Sequence, residues 1–432
     1  MKYYSTNHKS QDVTLEMAVI QGLASDRGLF MPERINPLPE SFFHEIGSMS
    51  FQEISFEVAK KFFGEDIPED TLKKIVYDTL NFDTPLVNVK DNIYSLELFH
   101  GPTSAFKDVG ARFMARLLSH FLGKEKKMVH VLVATSGDTG SAVANGFLGV
   151  PGIQVHVLYP KGKVSEIQEK QFTTLGQNIT ALEIDGTFDD CQALVKAAFM
   201  DVLLKEKITI TSANSINVAR FLPQAFYYFN AYAQLKDKNR KIVFSVPSGN
   251  FGNLTAGLFA KRMGLPVHQF IAANNRNNIV YNYLKTGVYK PRPSVSTIAN
   301  AMDVGDPSNF ARILDLYHNN HSEIKKDIVG TTYSDEQIKE TLLAVYQTTG
   351  YLLDPHGAVG YRALEELLKD DETGIFLETA HPAKFTETVE EIVGKGNVPM
   401  PGKLQSFMKG EKLSIEFSSK YEQFRAYLDG LE

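Results

Sequence analysis

Apolar residues along this chain recur with two different periods, and the period changes near residue 93. Before that point the spacing is helical. Val13, Leu15, Met17, Ala18, Val19, Ile20 and Leu23 are dense enough for a buried helix ending close to Gly22. Phe51, Ile54, Val58, Ala59 and Phe62 mark a second helix, and residues 71 to 80 a third. Asp26-Arg27-Gly28 followed by Met31-Pro32 reads as a turn into an extended segment. From about 93 onward, short continuous apolar runs alternate with helical stretches. The runs are Val129 to Ala134, 155 to 159, 179 to 184, 208 to 210, 242 to 246 and 267 to 271. Helical patterns lie over 141 to 147, 188 to 204, 217 to 235 and 254 to 263. Such alternation predicts an α/β fold with parallel sheets covered by helices on both faces. Residues 284 to 309, rich in Pro, Asn, Ser and Gly, predict a long loop. Helical and strand patterns resume over 336 to 376, and 391 to 432 reads as a Pro-containing link and a charged helical tail. The expected organisation is an accessory segment over 1–85, α/β domains over 86–240 and 241–390, and a tail over 391–432.

Composition narrows the partners. The chain has 432 residues, ample for a large core, and a formal charge of −6, which gives nucleic acid or an acidic membrane no basis for binding. No apolar run reaches the roughly 20 residues of a spanning helix, and the first residues hold no apolar signal core, so a cytoplasmic protein is expected. The single cysteine, Cys191, excludes an internal disulfide and a cysteine-rich metal site. No HExxH pair occurs among the eleven histidines, so no metal is expected.

Chemistry concentrates in three places. In the first, the apolar run Leu96-Glu97-Leu98-Phe99 meets a turn at Gly101-Pro102, the pair Thr103-Ser104 offers caps, and a helix pattern follows from Lys107 through Phe113, Met114, Leu117 and Leu118. A lysine at a helix start is disfavoured as an ammonium by the macrodipole, the setting a lysine nucleophile needs; it is also an ordinary place for a solvated lysine. In the second, Pro247-Ser248-Gly249-Asn250-Phe251-Gly252-Asn253 joins a strand to a helix. Its glycines let several N–H groups converge at a helix N-terminus, as a phosphate cradle requires. It has neither the GK[ST] ending nor the full GxGxxG spacing, and a plain capped turn fits as well. The third, Thr135-Ser136-Gly137-Asp138-Thr139-Gly140, repeats the architecture with hydroxyls and one acidic acceptor, and its N–H groups suit a carboxylate.

Taken with Asn214-Ser215-Ile216-Asn217, Thr379-Ala380-His381-Pro382-Ala383-Lys384-Phe385 and Asp26-Arg27-Gly28-Leu29-Phe30, these motifs resemble, in order and over most of the chain, the pyridoxal-phosphate enzymes of the tryptophan-synthase β-subunit fold. Within that fold they resemble the threonine synthases of bacterial and fungal form. The resemblance implies two three-layer α/β domains and pyridoxal 5'-phosphate held by Lys107 as a Schiff base. It implies cofactor contacts at Gly249, Asn250, Phe251, Gly252 and Asn253 around the phosphate, Thr379 facing the pyridine nitrogen and Asp138 near the ring hydroxyl. Many enzymes of the fold have Asn where this chain has Asp138; the threonine synthase form has Asp. Ser136, Gly137 and Thr139 would bind a substrate carboxylate. Arg220, helped by Ser104, Asn214 and Asn217, would bind the phosphate of O-phospho-L-homoserine, with Lys161 or Lys163 as weaker candidates. His100 and His381 lie beside the motifs in structural or catalytic roles. The activity implied is water-dependent conversion of that substrate to L-threonine and phosphate by a monomer or weak dimer. A serine or threonine dehydratase, a phospho-amino-acid lyase of the same fold, or a non-catalytic phosphate-binding module are the alternatives at this point.

Overall fold

The computed structural model describes residues 1–123 and 128–431. It divides into two compact units whose stretches interleave along the chain. One comprises Met1, Met31–Phe106 and Phe221–Met400; the other comprises Lys2–Phe30, Lys107–Arg220 and Pro401–Glu432.

The first unit is built on a six-stranded sheet. Its strand order is Ile328–Thr332, Val267–Asn274, Lys241–Pro247, Glu372–Glu378, Ile93–Glu97 and Leu86–Lys90. All neighbours run parallel except the terminal pair, where Leu86–Lys90 lies antiparallel to Ile93–Glu97. The strand Glu372–Glu378 is buried along its whole length, as expected of a central parallel strand covered on both faces. Its carboxyl end sets Glu378 opposite Glu97, and ligands of such sheets gather at these carboxyl ends.

The second unit is built on a five-stranded, wholly parallel sheet in the order Ile415–Ser418, Ile179–Asp185, Ile153–Pro160, Val129–Ala134 and Thr209–Ser212. Helix Lys107–Leu122 belongs here, and eleven of its sixteen side chains are buried. Gly110 explains how closely it packs: a Cβ there would lie 2.3 Å from the Arg220 carbonyl oxygen. The Asp26 turn forms as expected. Its carboxylate accepts from Ser5 Oγ at 2.6 Å and Gly28 N–H at 2.9 Å, and Arg27 takes a positive φ of 69°.

Three expectations change. The stretch 188 to 204 is two helices, Phe188–Met200 and Val202–Lys207, because Asp201 leaves helical geometry and caps the second by accepting from Leu204 N–H at 3.0 Å. Arg425 Nε at 2.6 Å and the Tyr421 hydroxyl at 2.9 Å fix that carboxylate from the C-terminal helix Tyr421–Asp429. The stretch 217 to 235 breaks at Pro223 into helices Val218–Phe221 and Ala225–Gln234 joined by a 3-10 turn. The tail is not all helical: Ile415–Ser418 pairs with Ile179–Asp185 as an edge strand.

Candidate active site

Lys107 is the first residue of its helix and is half-buried. Thr103 and Ser104 are not its caps. They sit one turn earlier, where Ser104 N–H closes a turn onto Gly101 O at 3.2 Å and Ser104 holds a φ of 57°, an uncommon conformation for a residue with a Cβ. Ser104 is fully buried, and its Oγ has no hydrogen-bond partner among the described residues. A strained residue with an orphaned buried hydroxyl points to a ligand-binding role. Ser104, Ala105 and Phe106 are zipped to the Thr379 stretch. Phe106 N–H donates to Thr379 O at 2.9 Å, His381 N–H donates to Ser104 O at 3.1 Å, and Ala105 bridges Ala380. Thr379 is thereby fixed in register with the residue that precedes Lys107. The two histidines have local partners: His100 Nε2 lies 2.7 Å from Glu97, and His381 Nδ1 caps the turn Pro382–Phe385 by accepting from Ala383 N–H at 3.1 Å.

The glycine loop after Lys241–Pro247 has the geometry an anion cradle needs. Phe251, at the N-cap of the eleven-residue helix Gly252–Arg262, adopts the left-handed conformation with φ 62°; of the first-turn N–H groups, that of Leu254 donates to Asn253 Oδ1 at 2.9 Å, while those of Gly252 and Asn253 precede the first intrahelical backbone bond. Asn253 braces the turn by donating to Pro247 O at 2.9 Å, and Ser248 Oγ donates to Val246 O at 2.8 Å. Asn250 Oδ1 accepts from Ser308 N–H at 2.6 Å, and Asn250 O from Asn309 N–H at 3.3 Å. Asn309 in turn accepts from the fully buried Arg312 at 2.5 Å. Burial pushes the Arg312 guanidinium down to about 9. Gly249 admits the turn Asn300–Met302 against the loop, since a Cβ there would lie 2.8 Å from Ala301 O. The loop and the helix N-terminus it leads into fit the phosphate of pyridoxal phosphate.

In the second unit, Thr135 organises the other loop. Its Oγ1 accepts from Gly137 N–H at 2.9 Å and Gly140 N–H at 2.8 Å. Gly137 has φ 139° and admits Gln168, whose side chain would overlap any Cβ there. Asp138 is buried, and its Oδ1 accepts from Gln168 Nε2 at 2.8 Å. Ser136 and Thr139 are half-buried on the same loop. Asn214 Nδ2 donates to Ala134 O at 3.0 Å. Asn217 Nδ2 donates to Val19 O at 2.8 Å and Ser212 O at 3.2 Å, while its Oδ1 accepts from Ala219 N–H at 3.0 Å. These two amides brace the backbone at the strand ends. Arg220 is buried near Asp108, itself buried in the first turn of the Lys107 helix. Burial lowers the guanidinium to about 10, and the Asp108 carboxylate opposes that shift. Lys161 is engaged elsewhere, with its Nζ 2.8 Å from Glu416 on the edge strand.

Sequence reading missed several of these residues. Gln168 carries no motif of its own. Asp354-Pro355-His356 does have a signal, an N-cap followed by proline at the first helical position. Asp354 accepts from His356 N–H at 2.6 Å, and its own N–H donates to Glu378 at 2.6 Å, directly before Thr379.

Three family models match. Pyridoxal-phosphate dependent enzyme covers residues 78–375, Threonine synthase N terminus covers 2–80, and Threonine synthase, C-terminal covers 357–428. A threonine synthase of Haemophilus influenzae is 48% identical over 429 residues, 99% of either chain. The crystal structure of threonine synthase from Escherichia coli superposes with a TM-score of 0.95 at 43% identity, covering 100% of both chains. The pyridoxal-phosphate-bound threonine synthase from Brucella melitensis gives 0.92 at 33% identity, covering 100% of this chain and 99% of that one. Among the described residues no helix is long and apolar enough to cross a membrane. The chain belongs to the threonine synthase family of pyridoxal-phosphate-dependent enzymes.

Proposed function

We propose that this chain converts O-phospho-L-homoserine and water to L-threonine and inorganic phosphate. The observation that carries the reading is the full-length family match together with Lys107 opening a helix directly after the zipped stretch Ser104 to Phe106. Bound pyridoxal phosphate supplies an electron sink that acidifies the substrate's Cα and Cβ hydrogens. Lys107 would hold the cofactor, and its amine would take and return protons along the substrate carbons. In the net reaction Cβ loses one hydrogen and gains the hydroxyl of water. Phosphate leaves Cγ with the bonding pair, Cγ gains one proton, and the remaining proton goes to phosphate.

The N–H groups from Gly249 to Asn253, with the Asn250 side chain, cradle the cofactor phosphate. Thr379 would offer the cofactor ring a hydroxyl rather than a carboxylate, which would weaken the electron sink and favour elimination over transamination. Asp138, whose Oδ1 accepts from Gln168, would accept from the ring hydroxyl. Ser136, Gly137 and Thr139 hold the substrate carboxylate. Arg220 and Ser104 serve the substrate phosphate, with Asn214 and Asn217 as further donors. A guanidinium suits this task because its planar fork matches phosphate oxygens.

The test is the visible absorption of the purified protein and of Lys107→Ala, before and after adding O-phospho-L-homoserine, with phosphate and threonine assayed together. The expected result is a cofactor band that depends on Lys107 and changes with substrate as both products appear. A cofactor-bearing protein that ignores phosphohomoserine but deaminates serine or threonine overturns the substrate. Arg220→Lys is expected to raise KM for phosphohomoserine far more than for serine; equal changes overturn the Arg220 assignment.

A further inference from the structure

Beneath the Thr379 stretch lies a buried acid cluster that the reaction described above does not use. Glu378, Asp354 and His356 are each at most 2% exposed. Asp354 is surrounded by donors. Its Oδ1 accepts from His356 N–H at 2.6 Å and lies 2.5 Å from His356 Nδ1, and its Oδ2 accepts from Ala380 N–H at 3.3 Å. It also caps the thirteen-residue helix Pro355–Leu367, where the macrodipole favours a negative charge. Asp354 is therefore the ionised member. His356 Nε2 accepts from Ala301 N–H at 3.1 Å, which places the imidazole proton on Nδ1, pointing at Asp354, and leaves the ring neutral.

Glu378 differs. Its Oε1 accepts from Asp354 N–H at 2.6 Å, but its Oε2 receives no hydrogen bond from any described residue. The Oε2 atom lies over Gly357, where a Cβ would come within 1.6 Å of it. The groups facing Glu378 are acidic: Asp354 within side-chain hydrogen-bonding reach, and Glu97 on the neighbouring strand. Tyr351 lies beside them, its hydroxyl bonded to Glu97 at 2.8 Å and to Ser95 at 2.9 Å. An ionised Glu378 would bury a second negative charge with one oxygen unsolvated, a cost of several kcal/mol. A protonated Glu378 has a donor at that oxygen and an acceptor in Asp354. Burial, and next the Asp354 carboxylate, push the Glu378 carboxyl well above the ordinary range.

We propose that Glu378 is a neutral carboxylic acid donating from Oε2 to Asp354, and that the chain Glu378–Asp354–His356 is a positioning relay for the cofactor. At one end it holds Ala380 beside Thr379, and at the other it holds the Asn300–Met302 turn that packs on Gly249. The inference rests on the assignment of Thr379 and the Gly249 loop to pyridoxal phosphate. It makes one charge, on Asp354, serve two remote elements: removing the Glu378 proton would repel that charge, and removing the charge would free both Ala380 N–H and the His356 ring.

The test compares Glu378→Gln, Glu378→Leu and Thr379→Val. Apoprotein of each is titrated with pyridoxal phosphate for its apparent Kd, and infrared difference spectra are recorded in the carbonyl region. An amide at 378 reproduces both hydrogen bonds of the neutral acid, so Glu378→Gln is expected to keep Kd within about twofold. Glu378→Leu leaves Asp354 lacking a donor and its N–H lacking an acceptor, and is expected to raise Kd about tenfold or more. The infrared spectrum of the wild type is expected to contain a protonated-carboxyl band that Glu378→Gln lacks. If Glu378→Gln weakens binding as much as Glu378→Leu, or the band is missing from the wild type, the neutral-acid relay is overturned. Should Glu378→Leu fail to fold, the Gln titration and the band decide alone. An unchanged Kd in Thr379→Val, with the band and the Glu378 pattern intact, overturns the Thr379 assignment and not the proton on Glu378.

Discussion

Gly110→Ala inverts an ordinary rule. Alanine in a helix interior is favoured over glycine by about 1 kcal/mol. Gly110 lies in the first turn of helix Lys107–Leu122, three residues after Lys107. The new methyl would meet the Arg220 carbonyl oxygen at 2.3 Å and its carbon at 3.2 Å, where ordinary contact begins at 3.4 Å. The obstacle is backbone and cannot rotate aside, so the helix must retreat by about 1 Å. Overpacking of this kind costs about 1–3 kcal/mol, and a rigid obstacle belongs at the upper end. Against the propensity gain, the net expectation is a loss of about 2 kcal/mol, read as a lower urea midpoint at unchanged slope. The same retreat moves Lys107, and a 1 Å misplacement of a reacting group can lower a rate about a hundredfold. Phosphate release should therefore fall much further than the folded fraction does. Gly402→Ala is the control, because nothing lies within 4 Å of a Cβ there; its stability should be unchanged or slightly higher. If Gly110→Ala stabilises by about 1 kcal/mol and keeps full activity, the close approach of the Lys107 helix to Arg220 is wrong.

Further expectations concern loop, pocket and pH. Gly249→Ala would set a Cβ 2.8 Å from both Ala301 O and Met302 Cα; pushing that turn off the loop should weaken pyridoxal phosphate binding by at least about tenfold, about 1.4 kcal/mol, measured by titration of the apoprotein. Ser104→Ala removes a buried hydroxyl that has no hydrogen-bond partner among the described residues, so urea stability should hold or rise by about 1 kcal/mol while KM for phosphohomoserine rises; a clear loss of stability would show that the hydroxyl makes a structural bond. His156 accepts or donates at 3.1 Å to His130 and at 2.8 Å to the Tyr427 hydroxyl, and burial, then His130, lower it to about 3. The folded state keeps it neutral while the unfolded chain takes up a proton below about 6.5, so its contribution is complete above that pH and is lost as pH falls toward 3. Between pH 7 and pH 5 the loss is about 2 kcal/mol. Urea curves should show wild type and His156→Gln converging by that amount at pH 5, and parallel pH profiles would refute the neutral buried histidine.

The primary sequence determined the local chemistry of this protein because that chemistry is written in neighbours. Lys107 opens a helix because a Gly-Pro turn is followed by residues of helical period. Residues 135 to 140 and 247 to 253 form loops because glycines follow fully apolar strand runs, and the alternation of strands and helices dictates parallel sheets. Pairings between distant residues leave no periodic trace, and these only the tertiary structure decided. Ser104 lies in a cap-like sequence but is drawn into a strained buried turn by hydrogen bonds to a stretch more than 270 positions away. Ile415–Ser418 buries only Phe417, so nothing in its pattern announces a strand, and its order comes from the open edge of Ile179–Asp185. Glu378 and Asp354, 24 residues apart, are unremarkable acids until folding removes water from both and forces a single charge on the pair. The two units are likewise stitched from alternating stretches of chain. Short-range sterics and periodicity act within a few residues and can be read from the order of the chain, whereas burial, strain and proton placement depend on which distant groups share a space from which water has been excluded.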